Sequence, residues 1–223
     1  MRILLLLLAL LLGGCSTTQK PTTISEEEAH GAVVEVLRLA GSGLESSAFL
    51  SLPLSALLTE EQLHLLDLDE IPLLEQRLQL WRGEVLEAYR NAARLLADQL
   101  DPLLDTLVID DARQLVENKE MSATSILRVQ KAEEIAALGA ALLSPALEAS
   151  QGIWELLHER YGIWSRSRVL LGEEGLPPLE ENPFEHLLTV FVDGFLTALE
   201  KEEMLLRTTP VVKGSGSILE VFQ

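Results

Sequence analysis

The sequence predicts an all-α fold, an irregular multi-helix bundle of about six to eight helices. Three observations carry that reading. The apolar residues are mostly Leu and Ala, which are strong helix formers. The β-branched residues are scattered and never alternate with polar ones as a half-buried strand requires. Apolar positions recur at spacings of three and four between stretches bounded by Ser, Thr or Asn at one end and Gly or Pro at the other.

The elements follow in order from residue 25. Ser25-Glu26-Glu27-Glu28 has a capping-box layout and opens a helix through Val33, Val36, Leu37 and Ala40, which Gly41 and Gly43 are expected to stop. Phe49 to Leu54 reads as an irregular apolar link, because Leu52 precedes Pro53 and avoids helical backbone. Thr59 can cap a short helix through Leu66, and Pro72 suits the first turn of the next. From Pro72 to about Leu100, the residues Leu74, Leu78, Trp81, Val85, Ala88, Ala92 and Leu95 form one seam over three heptads. Small residues at Ala88, Ala92 and Ala93 predict a close helix crossing there.

After Pro102 come a shorter helix around Ile109 to Val116, a polar turn at Asn118-Lys119, and a helix from about Ser122 to Leu143. Ser144-Pro145 is expected to begin a further helix that reaches Tyr161 and ends at Gly162. Gly172 to Glu181 is the main loop. Asn182-Pro183-Phe184-Glu185 starts the last helix, with Phe184, Leu188, Phe191, Phe195 and Leu199 on one face and an end near Arg207. The terminal Ile218, Leu219, Val221 and Phe222 are expected to fold back as an apolar hook, since they would otherwise face water.

Composition excludes several functions. The chain has 223 residues, 35 Asp or Glu against 17 Lys or Arg, and a formal charge of −18 at pH 7. Nucleic acid is therefore an unfavourable partner, because phosphate binding rests on Lys and Arg displacing counterions. A single Cys rules out an intrachain disulfide and any zinc site built on two or more cysteines.

That Cys is the most informative residue. Met1-Arg2 is a positive start, Ile3 to Leu12 are apolar without interruption, and Gly13-Gly14 is a small-residue site. Ten helical residues cover about 15 Å, half of a ~30 Å hydrocarbon core, so the run is a signal peptide and not a permanent span. Leu12-Gly13-Gly14-Cys15 resembles the lipobox of bacterial lipoproteins. The resemblance implies a diacylglyceryl thioether on Cys15, cleavage between Gly14 and Cys15, and an acylated new terminus anchored in a membrane. Two or three chains hold durably, since each buried CH₂ contributes ~0.8 kcal/mol. Residues 1–14 are then the signal peptide, 15–25 the acylated Cys and a flexible Ser/Thr/Gln/Lys/Pro tether, and 26–223 a single helical domain. Ser16 following the Cys resembles the pattern that sorts lipoproteins to the outer membrane. Loss of Arg2 leaves the mature chain one charge more acidic.

The domain also resembles a family of uncharacterised bacterial secreted proteins and lipoproteins, the domain of unknown function 4197 family. The matching features are Leu52-Pro53, Asp111-Ala112, Ala123-Thr124, Asp193-Gly194-Phe195, Glu202-Glu203, Arg207, Pro210 and Val221-Phe222, in the family's order. The likeness covers residues from about 33 to 223. An Asn-Arg-Ala-Ala-Glu signature of the family is replaced by Leu86-Glu87-Ala88-Tyr89-Arg90, and a Gly pair by Asn118-Lys119. The resemblance implies an α-helical envelope protein and no defined chemistry.

Other chemistry finds little support in the residues. Glu27/His30, Glu61/His64 and Glu155/His158 share the Glu-x-x-His spacing of di-iron bundles. However, Glu155 and His158 point away from the face of Trp154, Leu157 and Tyr161, so no metal site is assigned and no cofactor is expected. There is no Gly-x-Ser-x-Gly elbow. Gly41-Ser42-Gly43 follows a helix and lacks the third Gly of a dinucleotide loop. Asp110, Asp111 and Asp193 could serve as an acidic site, but they read as helix-start and surface charges. Trp154, Tyr161 and Trp164 cluster near the main loop, as core or rim packing or as the wall of a ligand groove. The expectation is a non-enzymatic, lipid-anchored interaction or envelope-maintenance module facing the periplasm, with an unknown protein partner. The alternatives are a carrier holding an apolar ligand or lipid between helices, and an enzyme with an acidic site.

Overall fold

A computed structural model describes residues 24–44, 52–211 and 217–222. Among them are seven α-helices, three short 3₁₀ segments and no strand, so the all-α bundle is the fold. No helix among the described residues is long and apolar enough to cross a membrane.

Helix α1 (Glu26–Ser42) starts as its cap dictates, with the Ser25 hydroxyl accepting the Glu28 N–H at 3.2 Å and the Glu28 carboxylate accepting the Ser25 N–H at 3.0 Å. Gly41 does not stop it. The residue is buried inside the helix, where its missing side chain lets Leu100 approach to 3.0 Å of the point a Cβ would occupy. Residues 49–51 of the predicted Phe49–Leu54 link lie outside the described residues. A 3₁₀ turn, Leu54–Ala56, is followed by a longer one, Glu60–Asp67, whose start is fixed by the Gln62 side chain accepting the Thr59 N–H at 3.1 Å.

Helix α2 (Leu74–Ala97) begins after Pro72, not on it. Leu74 N–H bonds the Ile71 carbonyl at 3.1 Å, and Leu73 takes φ 64°, which is a turn with Pro at its second position and a positive φ at its third. The predicted seam is buried from Leu74 to Ala92, but Leu96 replaces Leu95 at its end. A real helix turns every 3.6 residues and drifts off a strict 3.5 repeat over three heptads. Short helices α3 (Asp101–Leu104) and α4 (Ala112–Glu117) follow, the second capped by Asp111, whose carboxylate accepts the Gln114 N–H at 2.9 Å.

Helices α5 (Ala123–Ala146) and α6 (Glu148–Leu170) meet at Leu147, so Pro145 sits in the last turn of one and does not open the other. Helix α5 bends at Lys131, where φ is −125° and ψ 15°. Gly162 also fails to end α6, because Trp164 and Arg168 continue the packing beyond it. The real stop is Gly172 at φ 82°, with the Glu173 N–H reaching back to the Arg168 carbonyl at 3.0 Å. Helix α7 (Phe184–Thr208) starts beside Asn182, whose side chain accepts the Phe184 N–H at 3.0 Å. Its inner face buries Leu187, Phe191, Phe195 and Leu199, while Phe184 and Leu188 are half-buried.

Helix α5 lies between α2 and α7, α1 covers α7 and α4, and α6 packs along the first half of α2. The centre is aromatic: Trp81 and Trp154 rings are 4.8 Å apart, and Tyr89 and Phe191 5.4 Å. Phe191 reaches that position because Gly139 on α5 has no side chain, its Cβ point being 3.3 Å from the ring. The C-terminal hook, Ile218–Phe222, is a 3₁₀ turn against α1, α4 and α7 with Phe222 buried.

Candidate functional site

Gly14 and Cys15, the expected cleavage and lipidation positions, lie outside the described residues. The aromatic trio lies within them and is brought together on α6. Trp154 and Tyr161 are buried on its inner face and Trp164 is half-buried, with the Tyr161 and Trp164 rings 5.9 Å apart.

Each polar tip of the two buried rings is committed to the main loop. Trp154 Nε1–H donates to the Glu180 carbonyl at 3.0 Å, and Tyr161 OH donates to the Pro177 carbonyl at 2.6 Å. The same hydroxyl lies 2.9 Å from His64 Nε2, so three separate segments meet at one phenol. Burial raises the Tyr161 pKa above its ordinary value, which keeps the group protonated and donating. Trp164 carries the Arg168 guanidinium 5.0 Å from its ring, and Arg168 pairs with Glu70 at 3.1 Å and Glu173 at 2.8 Å. The trio therefore fastens the loop and its flanks to α6.

A groove of about 550 Å³ opens beside this latch, between the α5–α6 junction and the start of α7. Trp154 borders it together with Gln151, Glu155, Glu181, Asn182 and Phe184, whereas Tyr161 and Trp164 do not.

A second centre was not predicted as a site. Glu203 and Arg207, 0% and 2% exposed, lie one turn apart on α7 and pair at 3.0 Å. One oxygen of Glu203 also accepts the Ala123 N–H at 2.8 Å. The other accepts the Ser122 hydroxyl at 2.9 Å and both the N–H and the hydroxyl of Thr124 at 2.8 Å. A buried helix start needs partners for its orphan N–H groups, and here a carboxylate from another helix supplies them. Arg207 donates to the carbonyls of Met121, Leu115 and Asn118, and the Phe222 ring lies 5.2 Å from its guanidinium carbon. Sealed from solvent, this pair is a brace that no substrate can reach.

Of the residues that suggested the resemblance, Ala123-Thr124, Glu203, Arg207 and Phe222 are neighbours here, while Asp193 lies on the surface with Arg128. The Ala112 N–H donates to Glu26 at 2.5 Å. A signal for the buried pair was present: the apolar positions 191, 195 and 199 step by fours into 203 and 207.

Of the acidic candidates, Asp111 caps α4 and Asp193 pairs with Arg128 at 2.5 Å on the surface. Among the described residues no group of three or more His, Cys, Asp or Glu side chains could hold a metal ion. No protein-family model, curated protein or solved structure matches this chain.

Proposed function

We propose that this protein is a lipid-anchored helical domain of the bacterial envelope, held by acyl chains on Cys15 and facing the periplasm from the outer membrane. It works there as a non-enzymatic interaction or envelope-maintenance module. The observation that carries the reading is Leu12-Gly13-Gly14-Cys15 after an uninterrupted apolar run, with the only cysteine of the chain at the lipidation position. Ser16 supports the outer-membrane assignment. Likeness to the domain of unknown function 4197 family belongs with the same reading. Residues 15 to 25 could reach at most about 36 Å when extended, which leaves the domain free to meet partners near the surface.

The test is Cys15→Ser in a bacterial host fed a clickable fatty acid. The unaltered chain takes up label and fractionates with membranes; the variant takes up none and is released. Label or unchanged membrane association in the variant overturns the anchor.

A carrier of an apolar ligand is the second reading, but the groove beside Trp154 offers it a largely polar rim of Gln151, Glu155, Glu181 and Asn182. The small-residue seam at Ala88 and Ala92 does not favour it, since both are buried against neighbouring helices. Gentle purification followed by native mass spectrometry separates the readings: a stoichiometric lipid supports the carrier, and its absence across preparations removes it.

A further inference from the structure

We propose that two copies of this chain pair through the outward face of α6, antiparallel about a two-fold axis at Ile163. The inner face of α6, carrying Trp154, Leu157 and Tyr161, is spent on the core. On the opposite side Ala149, Leu156, Ile163 and Leu170 recur every seven residues. Leu156 is 51% exposed, Ile163 47% and Leu170 87%. Single exposed leucines are ordinary, but three large apolar residues in one line along the helix make an exposed apolar stripe.

Charge identifies the occupant as a second copy. Glu159 and Arg166 flank the line on one edge, a heptad apart, and neither forms an ion pair with a described residue. A two-fold axis perpendicular to both helices brings like edges together and reverses their direction. Centred on Ile163, it sets Ile163 on the partner's Ile163, Leu156 on the partner's Leu170, and Glu159 beside the partner's Arg166 twice over. A two-fold axis parallel to the helices would bring unlike edges together and hold Glu159 a heptad away from the partner's Arg166, so this charge pairing belongs to the antiparallel form. The overlap from Leu156 to Leu170 is about 21 Å long. Such a contact falls at or below the small end of stable interfaces, about 1,200 Å², so the pairing is reversible. The inference does not depend on the lipid anchor.

The geometry sets the experiment. Ile163→Cys in the full chain, oxidised in the cell fraction that holds the protein, gives a disulfide dimer on non-reducing electrophoresis. The band is several-fold stronger than from Glu133→Cys, an exposed control on α5, with the unaltered chain reporting the background of Cys15. Leu156→Cys and Leu170→Cys each stay at the control level alone and crosslink when combined. Adding Glu159→Arg to Ile163→Cys weakens the band, and adding Arg166→Glu as well restores it. An Ile163→Cys band no stronger than the control, or equal bands from Leu156→Cys and Ile163→Cys, overturns the pairing. Should Ile163→Cys not accumulate, failure of the combined Leu156→Cys/Leu170→Cys chain to crosslink overturns it equally.

Discussion

Glu203 and Arg207 face each other across one helical turn at 3.0 Å, and the carboxylate that holds the arginine also caps α5, about 80 positions earlier in the chain. Removing one member of a buried, hydrogen-bonded pair strands the other, at a cost of about 3–5 kcal/mol. Glu203→Gln and Arg207→Met are each expected to lose that much in urea denaturation followed by circular dichroism. The double replacement Glu203→Leu/Arg207→Leu should recover little. It removes the unpaired charge but leaves the α5 donors of Ser122, Ala123 and Thr124 buried without an acceptor.

Acid should loosen the contact between α1 and α4. The Arg113 side chain, then the Ala112 N–H, hold the Glu26 pKa below its ordinary 4.5, and the Ser25 hydroxyl and N–H do the same for Glu28. A carboxyl with a depressed folded pKa contributes stability that is complete above the unfolded value and lost as pH falls through the folded one. Stability is therefore expected to decline as pH drops below 4.5, and Glu26→Gln to flatten that decline. An identical slope in Glu26→Gln would show that other carboxylates account for it.

Tyr161→Phe removes the donor to Pro177 and the contact to His64 while keeping the ring. About 1 kcal/mol of stability should go with it. The larger effect is local: the segment from Gly172 to Glu181 should be cut faster in limited proteolysis. An unchanged cleavage rate would mean that Trp154 and the Arg168 ion pairs hold the loop without Tyr161.

Glycines separate into two kinds. Gly31 and Gly83 lie on exposed helix faces with open space where a Cβ would go, so Gly31→Ala and Gly83→Ala should each raise stability by about 0.5–1 kcal/mol. Gly41→Ala must push Leu100 from a 3.0 Å approach, and Gly172→Ala must hold a positive φ. Both should lower the melting temperature, measured against the first two.

Local chemistry was legible and long-range chemistry was not. The Ser25/Glu28 box and the Asn182 start are decided within three or four residues and are readable without the fold, whereas Asp111, expected inside a helix from about Ile109, caps one that begins at Ala112. Pro72 and Pro145 do not open the helices their positions suggest, because proline fixes its own φ but not which element it belongs to; one enters a turn and the other a last helical turn. Gly41 and Gly162 looked like stops, yet neither is followed by the left-handed geometry that Gly172 supplies. The aromatic trio was found as a cluster, but the loop carbonyls it binds leave no pattern in side chains. Glu203 and Arg207 carry the spacing of an ordinary surface pair, and only their alignment with Phe191, Phe195 and Leu199 distinguishes them.

The brace has a consequence for the order of assembly. The start of α5 is capped by Glu203, and the arginine beside it lies under Phe222. An amino-terminal fragment ending before α7 contains most of the bundle and still lacks the acceptor that allows α5 to begin in a dry interior. Native packing at the start of α5 therefore requires α7, 80 positions further along the chain from Ala123 to Glu203.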